Sequence, residues 1–144
     1  MTNFPDYDLI DFTPYLLNLA AEVTSFSFQK HYKARYGMLR TEWRVMFHLG
    51  QNGPMHAKDI CARARIHKTK VSRAVTALEQ KRYLSRDVAD RDRRHEVLSL
   101  TRSGKSVFRN LFKAAQSFDE QLMEEFSNQE KAILKRCLSK IAGI

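Results

Sequence analysis

The chain has 144 residues, 25 Lys+Arg against 16 Asp+Glu for a net charge of +9, and a hydrophobic content of 43%. Such a length supports one domain, or one domain with an oligomerisation arm, and a core that needs no disulfide or metal staples. Nine Phe, five Tyr and one Trp exclude a disordered chain, and no apolar run approaches the ~18 residues of a membrane span.

Met1 to Asp11 is acidic and lacks the basic start and apolar core of a signal peptide, so export is not expected. Cys61 and Cys137 stand far apart, without partners at metal-ligand spacing, and a reducing cytoplasm is the expected setting. Both are expected to be packing residues. Thr13-Pro14 predicts the start of a first helix, with Thr as cap and Pro in its first turn. Leu16, Leu19, Val23 and Phe26 follow at helical spacing, and Gly37 is a natural stop. Thr41 predicts a second helix carrying Trp43, Val45, Met46, Phe47 and Leu49, ended by Gly50 and Gly53-Pro54.

Ala57 to Arg63 reads as a short helix, and His67 to Lys81 as a second one beyond an interruption at Ala64–Ile66. Two helices joined by so short a turn form a helix-turn-helix candidate. On the second helix Val71, Ala74, Val75 and Leu78 share one face and predict core. Thr69, Ser72, Arg73, Thr76 and Gln80 share the other, which holds no acid. A solvated face would mix both signs, so this one suits phosphates and base edges.

Leu84 to Val88 and Glu96 to Thr101 alternate as strands do. Between them, Ala89 to His95 supplies a polar hairpin tip with Arg91, Arg93 and Arg94 beside Asp90 and Asp92. Alone this is a solvated turn. Directly after a helix-turn-helix it is a wing, and arginine suits a narrow, electronegative minor groove. Thr101 then caps a long helix to about Phe126, striped by Phe108, Leu111, Phe112, Ala115, Phe118, Leu122 and Phe126. Ser127-Asn128-Gln129-Glu130 is a capping box opening a last helix, whose apolar face holds Ile133, Leu134, Cys137, Leu138 and Ile141. These end helices carry more apolar face than a small winged helix covers, which points to a two-chain helical interface. The expected core includes Leu16, Val23, Val45, Leu49, Ile60, Val71, Leu78, Leu98, Leu100 and Leu111.

Charge is distributed unevenly. Lys58 to Arg109 holds 15 Lys+Arg and six Asp+Glu, so the whole +9 excess lies there and the remainder is neutral. A basic block in a neutral frame points to a polyanion-binding module, the blander reading being a basic surface with no partner. An enzyme is not expected. His31, His48, His56, His67 and His95 form no His-Glu-x-x-His pair, and there is no Gly-rich phosphate loop. No cofactor and no metal site are expected.

Asp92-Arg93-Arg94-His95-Glu96-Val97-Leu98-Ser99-Leu100-Thr101, followed by Gly104, resembles the wing signature of the MarR family of bacterial transcriptional regulators. Leu78-Glu79-Gln80-Lys81 with Arg86, and Trp43-Arg44-Val45 with Leu49, resemble further stretches of that family in the same order. The resemblance implies a mainly α (α+β) fold: a winged helix-turn-helix at 37–104, with 1–36 and 105–144 forming a helical dimerisation region. It implies a homodimer that binds a pseudo-palindromic operator in double-stranded DNA, with His67–Lys81 in the major groove. Arg94 would enter the minor groove, oriented by Asp92. Lys68, Thr69, Lys70, Ser72, Arg73, Thr76, Arg91 and Arg93 complete the expected DNA-binding set. A small-molecule effector, an aromatic acid by family resemblance, would bind near Asn18, Trp43 and Arg44 and release DNA, making the protein a repressor. In the oxidation-sensing members of the family the sensing cysteine lies in the first helix, and this chain has none there.

Two positions depart from the family. Arg82 stands where Gly is usual at the end of the recognition helix, and His67 where a small polar cap is commoner. The alternative reading is a non-specific architectural nucleic-acid-binding protein, for which the same charge would serve.

Overall fold

The computed structural model describes residues 6–88 and 96–144. After a short 3-10 turn at Leu9–Asp11, the order is α1 (Thr13–Tyr36), α2 (Arg40–Asn52), β1 (Met55–His56), α3 (Ala57–Ala64), α4 (Lys68–Gln80), β2 (Leu84–Val88), β3 (Glu96–Leu100), α5 (Arg102–Leu122) and α6 (Asn128–Ala142). The three strands form an antiparallel sheet in the order β1-β3-β2. Leu98 pairs with Met55 on one side and Arg86 on the other.

Caps fix most boundaries. Gly37 ends α1 in the left-handed conformation (φ 64°), and its N–H returns to Lys33 and Tyr32. The Thr101 hydroxyl accepts the Gly104 amide at 3.0 Å and starts α5. Ser127 and Glu130 form the expected reciprocal capping box. Two starts differ from expectation. Phe12, not Thr13, is the capping residue of α1, and it supplies no side-chain bond. α2 begins at Arg40, before Thr41, because the buried Glu42 carboxylate reaches back to the Leu39 amide at 2.8 Å. α2 also runs through Gly50 to Asn52. Gly50 serves packing: a Cβ there would overlap the Phe108 ring of α5. α5 ends at Leu122 rather than Phe126, and the two-residue β1 is too short for a pattern of alternation to reveal.

The core is built by α2, α3, α4, the sheet and the first half of α5. Val45, Met46, Ile60, Val71, Leu78, Leu98 and Leu111 are at most 1% exposed. Above it an aromatic cluster joins α1, α2 and α5. Tyr32 stacks on Trp43, Phe28 meets Trp43 and Phe118, and Phe47 meets Phe108 and Phe112. Leu16 and Val23, expected inside, are 48% and 65% exposed. They sit on a face of α1 that none of the described residues covers. Phe26, Leu122, Phe126, Ile133, Leu134, Leu138 and Ile141 are exposed as well, and a largely apolar cavity of 830 Å³ opens between α1, α5 and α6. Cys61 is half-buried and packs against the core as expected, whereas Cys137, expected to pack, is exposed.

Candidate nucleic-acid interface

α4 buries Val71, Ala74, Val75 and Leu78, and this choice of face decides what it shows to solvent. Lys68, Thr69, Lys70, Ser72, Arg73, Thr76 and Gln80 are all exposed. A groove of 730 Å³ runs beside them, bounded by Lys58, Lys68, Ser72 and Arg73 on the helices and by Arg86 and Glu96 on the strands. Among the described residues, four cations therefore line one concave face against a single carboxylate.

Both ends of α4 depart from the commonest chemistry and both are resolved locally. The Thr69 amide donates to His67 Nδ1 at 3.2 Å, so the imidazole performs the work usually done by a Ser or Asp oxygen. Arg82 is left-handed (φ 62°), the conformation a glycine takes without strain. Its carbonyl accepts the Thr101 hydroxyl at 2.7 Å, and the Tyr83 carbonyl accepts the Thr101 amide at 3.0 Å. The turn that ends α4 is thus pinned to the start of α5. Glu42, only 4% exposed, lies 4.0 Å from the Lys81 ammonium and adds a charge contact from α2 to the same end of α4.

Arg86 on β2 organises the junction of helix and sheet. Its Nε donates to Glu79 at 3.0 Å, Nη1 to Glu96 at 3.1 Å and Nη2 to the Thr76 hydroxyl at 3.1 Å. One planar guanidinium therefore spans α4, β2 and β3, a geometry a flexible ammonium cannot reproduce. The sequence marked Arg86 only through a family resemblance. Its partners lie on two other elements, α4 and β3, at separations no local pattern records. Thr76 is consequently shared between the exposed face and this clamp.

Arg91, Asp92, Arg93 and Arg94, the expected wing tip, lie outside the described residues. The structure does not gather the three expected effector residues. Asn18 is exposed on α1 and donates to Glu22 at 3.4 Å. Trp43 packs in the aromatic cluster, touching Phe28, which stands ten residues, or about 15 Å of helix, beyond Asn18. Arg44 turns the other way and donates to the Ala64 carbonyl at 2.7 Å, its pKa lowered first by burial and then by Arg40. Burial and the nearby Arg44 and Arg63 likewise lower the pKa of His48. Among the described residues no three His, Cys, Asp or Glu side chains stand together to hold a metal ion. No helix among them is long and apolar enough to cross a membrane.

Known proteins share this architecture. The MarR family model matches residues 36–95, from the last residue of α1 to the residue before β3. The uncharacterized HTH-type transcriptional regulator YwoH of Bacillus subtilis (strain 168) is 24% identical over 67% of this chain and 69% of its own. The crystal structure of a MarR/EmrR family transcriptional regulator from Acinetobacter sp. ADP1 superposes with a TM-score of 0.85. It is 26% identical, over 95% of this chain and 96% of that one. Bordetella bronchiseptica BpsR, whose DNA binding is regulated by 6-hydroxynicotinic acid, superposes at 0.84 with 17% identity, over 96% and 98% of the two chains.

Proposed function

Because the chain belongs to the MarR family of transcriptional regulators, we propose that it is a homodimeric, sequence-specific DNA-binding repressor released from its operator by a small ligand. Members of this family are transcriptional regulators rather than enzymes. The observation that carries the reading is the exposed row of α4, which holds hydroxyls, an amide and cations, with its one exposed acid, Glu79, engaged by Arg86, on the basic part of an otherwise neutral chain. Arg73, Thr69, Ser72 and Thr76 touch base edges or nearby phosphates, while Lys68, Lys70 and the wing residues Arg91, Arg93 and Arg94 hold the backbone. Segments 1–36 and 105–144 form the dimer arm, and 37–104 the reading head. The uncovered apolar faces of α1, α5 and α6 support this division.

Regulation of BpsR by 6-hydroxynicotinic acid supports an aromatic acid as effector, with Asn18, Trp43 and Arg44 as candidate contacts. A ligand that binds the free protein raises its thermal midpoint, and a panel of aromatic acids would identify it.

The decisive experiment selects duplexes from a random pool and then measures affinity against salt. Enrichment of a two-fold sequence, with a slope corresponding to roughly 6–10 phosphates, is the expected result. Equal competition by bulk DNA per base pair would replace this reading with that of an architectural protein.

A further inference from the structure

Arg65 occupies the turn between α3 and α4, three residues before the recognition helix begins, and it is left-handed with φ 54°. A side chain in that conformation is strained where glycine would not be. The guanidinium has a specific use. Its Nη1 donates at 2.6 Å to the carbonyl of Ala142, the last residue of α6, across 77 positions of sequence. Its Nη2 lies 4.0 Å from the point where a Cβ on Gly143 would stand. Gly143 is itself left-handed (φ 74°), and it and Ile144 return their amides to Lys140 and Ser139. The last turn of α6 therefore presents carbonyls at the negative end of the helix dipole, where a cation is favoured.

α6 depends on such contacts because it has no buried residue. Among the described residues two polar contacts tie it to other elements: Lys135 to Asp119 of α5 at 3.6 Å, and Arg65 to Ala142. The first joins arm to arm. The second joins the arm to the helix-turn-helix.

We propose that Arg65 is a positioning residue that sets the angle of the reading head against the dimer arm, and so the separation of the two recognition helices. The inference rests on the dimeric DNA-binding reading and assigns it a specific mechanical link. A dimer with rigid arms and loosely hinged heads would accept several half-site spacings. A head fastened to α6 accepts one, because each added base pair rotates a half-site by about 35° as well as moving it.

The test is Arg65→Gly, which relieves the backbone strain and removes the guanidinium, with Arg65→Lys as its companion. In the DNA-free protein, amide exchange at Gly143 and Ile144 is expected to quicken by about tenfold in Arg65→Gly while α4 core amides keep their rates. On the duplex enriched by the wild type, inserting about two base pairs between half-sites should cost the wild type tenfold or more and Arg65→Gly less than about threefold. Arg65→Lys, which retains a donor without the planar fork, should fall between. Unchanged exchange at α6 would overturn the tether. So would a uniform loss of affinity with spacing discrimination intact, which would make Arg65 a phosphate contact. A wild type that enriches no duplex would sink the DNA-binding reading itself, whatever the exchange rates show.

Discussion

Gly104, in the first turn of α5, lies directly against the carbonyl of Tyr83, so that a Cβ on Gly104 would overlap the carbonyl oxygen. This contact explains the Thr-x-x-Gly spacing. Thr101 holds the Arg82 and Tyr83 carbonyls, and Gly104 leaves room for that approach. The end of α4 and the start of α5 are thereby one rigid unit.

Gly104→Ala should therefore destabilise the protein despite the better helix propensity of alanine. Backbone atoms must move apart, and overpacking of this kind costs about 1–3 kcal/mol. Urea denaturation would read this as a lower midpoint. A midpoint equal to or above the wild type's would show that the Arg82–Tyr83 turn yields without cost.

Arg86→Ala tests the junction of helix and sheet. Its three hydrogen bonds are partly exposed, so the loss of stability should be modest, on the order of 1–2 kcal/mol. The effect on DNA should be larger than stability alone explains, because Glu79 and Thr76 of α4 lose their link to Glu96 of β3. About a tenfold loss of affinity for the selected duplex is expected, with faster amide exchange across β2 and β3. Arg86→Lys should restore little of it, since one ammonium cannot serve three acceptors in a plane. Full binding by Arg86→Ala would make the clamp structural only.

The sequence disclosed what is periodic or local and missed what depends on distant partners. The faces of α4 were readable because a helix repeats every 3.6 residues, and the caps at Thr101 and Ser127 because their partners lie three residues on. His67 and Arg82 stood out as departures, and both are sites of unusual geometry, an imidazole cap and a left-handed arginine. Arg65 gave no such signal, because its partner Ala142 lies at the far end of the chain. Leu16 and Val23 show a different limit. Their helical spacing marks an apolar face without telling whether the same chain or another covers it.

His48 carries a pH dependence of definite sign. Burial, then Arg44 and Arg63, lower its folded pKa below the usual value of about 6.5. On acidification the unfolded chain takes up this proton first, so the contribution to stability is full above pH ~6.5 and is lost as pH falls toward the folded pKa. His48→Gln should flatten the stability profile on the acid side of neutrality while leaving the alkaline side parallel to the wild type's. Denaturation midpoints across pH 5 to 8, about the range in which histidine titrates, provide the measurement. Identical profiles would mean that the ring is as readily protonated in the fold as outside it.

Leu138 offers the sharpest test of the arm. It is 41% exposed on α6 and lines the 830 Å³ cavity with Leu16, Leu17, Leu122 and Leu134. In the single chain a charge there can reach water, so Leu138→Glu should leave the reading head folded, with its α4 amides protected. In a two-chain interface the same carboxylate, repeated by symmetry, would be buried without a partner, at a cost of several kcal/mol. Sedimentation velocity should then find a dimer for the wild type and a monomer for the variant. DNA affinity should fall by two orders of magnitude or more, roughly the loss when one half-site must bind alone. A variant that stays dimeric and binds DNA as before would place the interface elsewhere than on the face shared by α1, α5 and α6.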